Sequence, residues 1–313
     1  MKISEYAHTP VLIDEVLQGL KLQTDGIYID CTFGRGGHSQ EILQHLGKHG
    51  RLFAIDRDPD AVSSIHEKLC DDCRLTLVQG SYTMLESLVR ENGIQGRVSG
   101  ILFDLGVSSP QFDNCTRGFS LQHDGPLDMR MDNTKGSTAA EWLASAEVDE
   151  IRKVLQEYGE ERYARRIANA IVNERLHKPV ETTHHLAEII TSTVPTRERD
   201  KHPATRTFQA IRIFINDELN QLRDVLSQTI DALTCGGRLV VISFHSLEDR
   251  LVKRFMRRES RGDYFPHDVP VTEDAIRPKL KIVGRAIHPT IHEIANNPRS
   301  RSAVMRIAEK IAE

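Results

Sequence analysis

Residues 27–38 read Ile-Tyr-Ile-Asp-Cys-Thr-Phe-Gly-Arg-Gly-Gly-His, and this stretch decides the fold. Its alternating apolar residues Ile27 and Ile29 predict a strand that ends at Asp30. A glycine-rich turn follows, and we expect a helix to open at His38. Glycines let a backbone approach a ligand closely, and the free N–H groups of a helix N-terminus attract anions. The stretch therefore indicates a nucleotide-binding turn between a strand and a helix.

Acidic residues at the ends of two later strands narrow the kind of ligand. Asp56 ends the predicted strand 51–56, near the distance at which an acidic residue binds ribose hydroxyls in nucleotide-binding folds. Asp104 ends the predicted strand 99–104. Together with Asp30 they place carboxylates along one edge of the predicted sheet. The pattern favours a nucleoside cofactor and suggests a class I methyltransferase that uses S-adenosylmethionine (SAM).

Other interpretations of the glycine turn stay open on these residues alone. Turns of this kind also join strands to helices where no ligand binds. The dinucleotide fingerprint Gly-x-Gly-x-x-Gly would place its third glycine at Ser39, and Gly37 adds a glycine that the fingerprint lacks. This departure disfavours an NAD-dependent oxidoreductase.

The composition excludes several classes of protein. The 313 residues carry a formal net charge of −4, with 39% hydrophobic and 27% charged residues, which is typical of a globular chain. A run of about 18 apolar residues and a basic-apolar leader are both missing, so we expect a cytoplasmic protein without a membrane partner. The cysteines have no regular spacing, which predicts reduced thiols. Cys70 and Cys73 lack a second pair, so we expect no metal site.

Predicted strands and helices alternate at the start of the chain, which indicates a parallel sheet covered on both faces. Helices are predicted for 11–20, 38–46, 59–69 and 83–91, and strands for 27–30, 51–56, 75–78 and 99–104.

The middle of the chain contains no convincing strand pattern. From about Asp113 to Pro203 the apolar spacing is helical, and Thr138-Ala-Ala-Glu141 has the sequence of a capping box. We therefore predict an all-helical insertion at 113–204. It separates a first part of the methyltransferase domain at 1–112 from a second part at 205–313.

The α/β pattern resumes after this insertion. Apolar residues from Phe208 to Ile230 predict one long helix, and the glycines of Cys235-Gly-Gly-Arg238 are expected to end it. The run 239–244 predicts a fully buried fifth strand, and 301–307 a last strand at the edge of the sheet. The fold class is therefore α/β, a class I Rossmann-like sheet with a helical insertion.

The residues after Asp104 suggest the acceptor of the reaction. Ser108, Ser109, Pro110 and Gln111 lie where methyltransferases that act on exocyclic amines of bases hold acidic or small polar residues. An exocyclic amine is a poor nucleophile because its lone pair is delocalised, so acceptors that hold its protons assist the attack. Ser108 and Ser109 are candidate catalytic acceptors. Asp104 is a candidate for the same role or for the cationic end of the cofactor, and an ordinary Ser-Pro loop is the alternative.

Basic side chains recur at helical spacing in two places. One cluster comprises Arg162, Arg165 and Arg166; the other comprises Lys253, Arg254, Arg257, Arg258 and Arg261. A solvated helix face explains either cluster alone. Next to a nucleoside-cofactor site, however, they favour a phosphate-rich substrate. Arg206 and Arg212 either bind phosphate or pair with Glu218 and Asp217.

Longer motifs resemble the MraW family of bacterial methyltransferases. They are Asp30–His38, Asp104–Gln111, Gly125–Met131, His202–Ala210 and Ser243–Arg250, and the likeness runs from His8 through the rest of the chain. Members of this family methylate N4 of a decoding-centre cytidine in 16S ribosomal RNA of the small subunit. The resemblance implies the same reaction, with SAM as the cofactor and the small ribosomal subunit as the partner. A small-molecule methyltransferase and a non-catalytic RNA-binding factor are the rival functions.

The resemblance also implies the site residues. The cofactor residues carried over are Gly36, Gly37, His38, Asp56, Tyr82, Asp104 and Gln111. Asp56 is expected at the ribose and Tyr82 at the adenine, and the helical insertion is expected to recognise substrate. A helix cap at His38 and a core aromatic at Tyr82 are the ordinary alternatives. His245 and Glu248 are candidate substrate contacts, and the oligomeric state stays open, a homodimer included.

Overall fold

The structure is a computed structural model that describes residues 10–65, 67–195, 202–262 and 277–311. The chain divides into two compact units. The first comprises Met1–Gly106 and Leu219–Glu313, and the second comprises Val107–Glu218. The segment 113–204, for which the sequence predicts a helical insertion, lies within the bounds of the second unit.

The first unit is built on a seven-stranded sheet with the order β3-β2-β1-β4-β5-β7-β6. The strands are β1 (Ile27–Asp30), β2 (Arg51–Asp56), β3 (Leu75–Gln79), β4 (Val98–Asp104), β5 (Leu233–Ser243), β6 (Leu280–Ile282) and β7 (Val304–Lys310). Strands β1 to β5 pair in parallel, whereas β7 is antiparallel to both β5 and β6. The strand order reverses between β1 and β4, and ligands bind outside the carboxyl ends of strands at such a reversal.

Helices flank this sheet and build the second unit. They are α1 (Ile13–Leu20), α2 (Gly37–His45), α3 (Pro59–Ser63), α4 (Glu67–Cys70), α5 (Leu85–Glu91), α6 (Ser109–Asp113), α7 (Ala139–Ser145), α8 (Val148–Gly159), α9 (Ala164–Arg175), α10 (Thr183–Thr193), α11 (Thr205–Ile215), α12 (Glu218–Ala232), α13 (Ser246–Arg261) and α14 (Ile291–Asn296).

The core of the first unit lies on both faces of the sheet. Successive strand residues point to opposite faces. Accordingly, Ile101 and Phe103 of β4 join an apolar cluster with side chains of α5, α12 and α13. Leu102 joins a second cluster with side chains of α1 and α2. This arrangement confirms the predicted α/β class with a sheet covered on both faces.

The second unit is helical and has an apolar core of its own. Helix α7 begins with the predicted capping box, in which Glu141 N–H donates to Thr138 Oγ1 at 3.1 Å and Thr138 N–H donates to Glu141 Oε2 at 2.8 Å. Its described residues form no strand, and its one bridge joins Pro126 to Thr182. The core side chains include Trp142, Leu143, Ile151, Leu155, Ile167, Ile171, Leu186, Ile190, Phe208 and Ile211. The all-helical character predicted for the insertion is confirmed.

The single long helix predicted from Phe208 to Ile230 is wrong. Helix α11 ends at Ile215, and α12 begins at Glu218. Between them Asp217 takes a left-handed conformation, with φ of 51°. The buried Asn216 side chain donates to Arg212 O at 2.9 Å, and the same carbonyl also accepts Asn216 N–H at 3.1 Å.

Three further expectations need correction. The helix predicted at 59–69 is divided into α3 and α4, and Ser64, the C-cap of α3, donates its hydroxyl to Ala61 O at 3.2 Å. The glycines at 236–237 do not cap a helix; they lie inside β5, beside a bulge opposite Val98 and Gly100. Strand β7 is not an edge strand, since it lies between β5 and the three-residue β6.

Among the helices that the structure describes, none has both the length and the apolar composition that a membrane crossing requires.

Candidate cofactor site

Asp30, at the end of β1, holds the glycine turn to the first residues of α2. Its side chain is only 1% exposed. One carboxylate oxygen accepts Thr32 N–H at 3.1 Å, and the other accepts the Ser39 hydroxyl at 2.7 Å. Burial raises the pKa of Asp30, and the bond from Ser39 opposes that shift. Ser39, which departs from the dinucleotide fingerprint, is therefore part of this support, a role that the sequence did not predict.

The glycines of the turn have different tasks. A Cβ on Gly36 would lie 2.8 Å from the Phe33 ring, and one on Gly37 would lie 2.6 Å from Pro10 Cγ. Both glycines therefore let α2 begin against packed neighbours. Gly34, with φ of 57°, faces open space, because a Cβ there would meet only Thr32 O at 3.9 Å. Gly34 is the position of the turn that a ligand can approach, although it is not among the cofactor residues expected from the sequence.

Asp56, at the end of β2, is bonded to the same turn. Gly34 N–H donates to its Oδ2 at 2.6 Å, and Asp58 N–H donates to its Oδ1 at 2.8 Å. Burial raises the pKa of Asp56 to about 6, although both N–H donors lower it. Each carboxylate oxygen has two lone pairs, so the group can also accept hydroxyl donors. Its place and chemistry fit a ribose.

Asp104, at the end of β4, faces His38 of α2. His38 Nε2 lies 2.9 Å from Val11 O and must carry a hydrogen there, since a carbonyl only accepts. His38 Nδ1 lies 3.6 Å from Asp104 Oδ2. The side chain of His38 does not cap α2, whose N-cap is Gly36. Instead its Nδ1 lies next to the carboxylate of Asp104.

The other carboxylate oxygen of Asp104 has no hydrogen-bond partner among the described residues. Within the described part of the chain, Asp104 Oδ1 is buried and accepts no hydrogen bond. Burial raises the pKa of Asp104 to about 6; His38 opposes the shift, whereas Asp30 and Glu248 add to it. A buried acceptor without a donor is costly unless a ligand supplies one. The oxygen fits the cationic amino group of a SAM molecule, and equally an amine of the substrate.

Tyr82 follows β3 in a 3-10 turn, Tyr82–Met84. Its ring is half-buried and meets Phe103 edge to face, with 5.8 Å between the ring centroids. The ring thus packs against the apolar cluster under α5 and α12. An ordinary aromatic residue of the core would make the same contact. The contact of Tyr82 with adenine therefore stays a prediction.

The candidate acceptor residues begin the second unit. Helix α6 starts directly after Ser108, and Ser108 N–H donates to Gln111 Oε1 at 2.9 Å. Gln111 is 5% exposed, and through this hydrogen bond its amide contributes to the start of the helix. Ser108 and Ser109 are half-buried at this N-terminus. The sequence did not predict that Gln111 has this structural task.

His245 and Glu248 form the N-terminal cap of α13. Glu248 Oε2 accepts Phe244 N–H at 2.9 Å and His245 N–H at 3.3 Å. His245 Nε2 lies 3.2 Å from Glu248 Oε1 in a geometry that makes no hydrogen bond. The motif Ser243–Arg250 is therefore explained in large part as a helix start, and substrate contact by these residues stays a prediction.

The arginines of the second unit divide into paired and exposed residues. Arg212 donates to both carboxylate oxygens of Glu218 at 2.8 Å, which supports pairing over phosphate binding. Arg206 donates to Glu160 O at 3.1 Å. The cluster of Arg162, Arg165 and Arg166 is exposed on and next to α9.

Comparison with known proteins gives the family. The sequence matches the MraW methylase family over residues 5–311. It is 55% identical over 306 residues to the ribosomal RNA small subunit methyltransferase H of Coxiella burnetii (strain CbuG_Q212), covering 98% of this chain and 99% of the relative. It is 53% identical to the protein of the same name from Shewanella baltica (strain OS155), covering 98% of each chain. A crystal structure of a ribosomal RNA methylase from Streptococcus thermophilus covers both chains fully, at a TM-score of 0.43 and 12% identity. The chain belongs to the MraW methylase family.

Proposed function

We propose that this protein transfers the methyl group of SAM to N4 of a cytidine in the decoding region of 16S ribosomal RNA. The carrying observation is the buried, unpartnered oxygen of Asp104 beside the glycine turn that Asp30 and Asp56 hold. The proposal is also supported by relatives that share 53–55% of their residues with this chain and are named for the small-subunit RNA.

The residues of the first unit divide the work of holding the cofactor. Asp56 accepts hydroxyls of the ribose, and the open backbone at Gly34 lets the nucleoside approach. Asp104, next to His38, takes the cationic amino group, and the half-buried Tyr82 borders the adenine. SAM supplies a methyl group on an already activated sulfonium. Binding and orientation are therefore the main tasks of the protein.

The acceptor amine needs groups that hold its protons while its nitrogen turns toward the methyl group. Ser108, Ser109 and their backbone carbonyls supply such acceptors at the start of α6. A dedicated general base is not required, because the product ammonium loses its proton readily. The target cytidine must leave its stack in the RNA to reach these groups. The substrate places the reaction in the cytoplasm.

Methyl transfer from labelled SAM tests the proposal. The protein is incubated with small ribosomal subunits from cells that lack this activity and, in parallel, with their naked RNA. Nucleosides are identified after digestion, and we expect label in N4-methylcytidine. Asp104→Asn serves as the control for transfer that depends on this site. If neither substrate is labelled while SAM still binds, another acceptor or a binding role replaces the proposed function.

A further inference from the structure

A cleft of about 380 Å³ lies in the first unit between α13 and the chain that follows β6. It is distinct from the ends of β1, β2 and β4, where the cofactor residues lie. Helix α13 contributes Lys253, Met256 and Arg257, and the segment 282–286 forms the opposite wall. Ile307 of β7 lies at the base.

Backbone hydrogen bonds fix both walls of this cleft. Lys279 N–H, next to β6, donates to Glu259 O of α13 at 2.9 Å. Val283 N–H donates to Ile307 O at 2.9 Å, and Ile287 exchanges hydrogen bonds with Met305, both at 2.9 Å. Between these bonds the chain turns at Gly284, whose φ is 68°. The cleft is therefore a preformed feature of the sheet edge.

Three of the four cations that line the cleft form no ion pair with the described residues. In the described ranges, no carboxylate forms an ion pair with Lys253, Arg257 or Arg285, whose side chains border the cleft. The fourth lining cation, Arg306, and Arg258 nearby do have partners. Arg306 pairs with Asp249 at 2.6 Å, and Arg258 pairs with Glu259 at 2.8 Å. Uncompensated cations around a concave surface attract an anionic ligand.

The surface between these cations is apolar. Met256 is 2% exposed at the base of the cleft, whereas Ile282 on the facing wall is 42% exposed. A ligand that suits this surface has negative charges for the rim and a flat apolar part for the wall. An unpaired nucleotide has both, because its phosphate is anionic and the face of its base is apolar.

We infer that this cleft binds an unpaired stretch of the substrate RNA. Lys253, Arg257 and Arg285 contact its phosphates, and a base lies against Ile282. The inference rests on the proposed function and extends it, since it gives the first unit a second contact with RNA at the β6 edge of the sheet. Arg258, although it neighbours Arg257, takes no part because Glu259 and the Phe255 ring hold it.

The salt dependence of RNA binding tests this inference on the full chain. A triple variant carries Lys253→Gln, Arg257→Gln and Arg285→Gln. Binding of a fluorescent single-stranded RNA oligonucleotide and of small ribosomal subunits is measured over a range of KCl concentrations. Each phosphate contact on a single strand contributes about 0.7 to the slope of log K against log salt, so the slope should flatten by roughly 2. Ile282→Ser should weaken binding at every salt concentration without changing the slope.

A charge-matched variant separates the cleft from general electrostatics. Lys48→Gln, Arg90→Gln and Arg97→Gln remove three exposed cations elsewhere on the first unit and should leave the slope nearly unchanged. SAM affinity should be equal in all variants. Equal slopes in the two triple variants would overturn the inference, and an anionic protein segment would then be the better occupant. A wild-type protein that neither binds nor methylates RNA would instead refute the proposed function.

Discussion

At the scale of single residues, the buried carboxylates of Asp56 and Asp104 lower the folding stability of the protein without its cofactor. Burial raises the pKa of each carboxyl from 3.8 to about 6. The folded state then binds more protons than the unfolded state between about pH 4 and pH 6, so stability falls as pH rises through this window. Above pH 6 the penalty is constant. A cationic or hydroxyl-bearing ligand removes part of it, which links cofactor binding to stability.

Replacing Asp104 by Asn should stabilise the folded protein at pH 7.5. The amide carries no charge to desolvate and can donate to His38 Nδ1, so we expect a gain on the order of 1–3 kcal/mol. Urea unfolding at pH 7.5 and at pH 4.5 measures it, and the gain should shrink at the lower pH, where the wild-type carboxyl is protonated. An equal loss of stability at both pH values would contradict the proposed origin of the shift. The same substitution should weaken SAM binding.

Replacing Asp56 by Ala should weaken SAM binding by about 1.5–3 kcal/mol, the usual contribution of a charged hydrogen-bonding group. Calorimetry measures the change. Asp58→Ala is the matched control, because it removes a neighbouring carboxylate that caps α3. The control should cost about 1 kcal/mol of stability and leave SAM affinity unaltered. Unchanged affinity in Asp56→Ala would remove this residue from the ribose site.

Replacing Ser108 by Ala should lower kcat for methyl transfer while SAM affinity stays the same, because the proposed role of the hydroxyl is in the acceptor step. The hydroxyl also belongs to the capping box of α6. Steady-state kinetics with saturating RNA measures the change. Thr138→Ala removes the N-cap of α7 in the same unit and costs a comparable stability of about 1 kcal/mol. It should leave kcat unaltered. Equal turnover in Ser108→Ala and the wild type would exclude Ser108 from catalysis.

At the scale of elements, the sequence predicted the sheet because strand ends and turns are local signals. Ile27 to Asp30, the glycines after it and the carboxylate of Asp56 could all be placed from short-range pattern. The break between α11 and α12 could not, since Ile215 and Leu219 keep the helical spacing of four across the left-handed Asp217. The spacing of apolar residues shows which face of a helix is apolar. It does not show that a single residue, here Asp217, has a positive φ angle.

The sequence also could not predict which strands pair with each other. Strand β7 has a clear apolar pattern, but its neighbours are set by contacts far away in the chain. Strand β6 has three residues, of which only Leu280 is buried, so alternation cannot reveal it. Within the site, the carboxylates at strand ends were predictable, whereas the bond from Ser39 to Asp30 depends on how α2 is turned.

The short connection between α11 and α12 supports a neighbouring loop of the second unit. Asn216 Oδ1 accepts Met131 N–H at 2.7 Å, and Asn216 Nδ2 donates to Met129 O at 2.7 Å. Met129 itself has φ of 63°, an unfavourable value for a residue with a side chain. One buried amide thus bonds the backbone on both sides of Arg130, directly after the strained Met129 in the motif Gly125–Met131.

Asn216→Ala should therefore destabilise the protein by about 2–4 kcal/mol, because it leaves a buried N–H and a buried C=O without partners. Chemical unfolding measures the change. Asn173→Ala, at an exposed position of α9, is the control and should alter stability by less than about 0.5 kcal/mol. A similar small effect in both variants would show that the loop around Met129 is held by other contacts.

At the scale of the whole molecule, the placement of charge is compatible with the proposed RNA substrate despite the negative net charge. The net charge is −4, yet exposed cations cluster on single helices of each unit. The carboxylates are used differently, in helix caps, in ion pairs and at the buried strand ends. Affinity for a polyanion depends on the local surface that it meets, so the sum of charges does not oppose an RNA substrate.

The second unit should contribute to substrate binding through Arg162, Arg165 and Arg166, whose side chains are exposed. Replacing all three by Gln should raise KM for the small subunit and flatten its salt dependence, while kcat and SAM affinity change little, because the lost contacts are with phosphates. Methyl-transfer kinetics at several salt concentrations measures this. Lys135→Gln, Lys153→Gln and Lys178→Gln remove the same charge from other exposed positions of this unit. If both sets raise KM equally, the unit acts only through its total charge, and the helical insertion does not recognise RNA at α9.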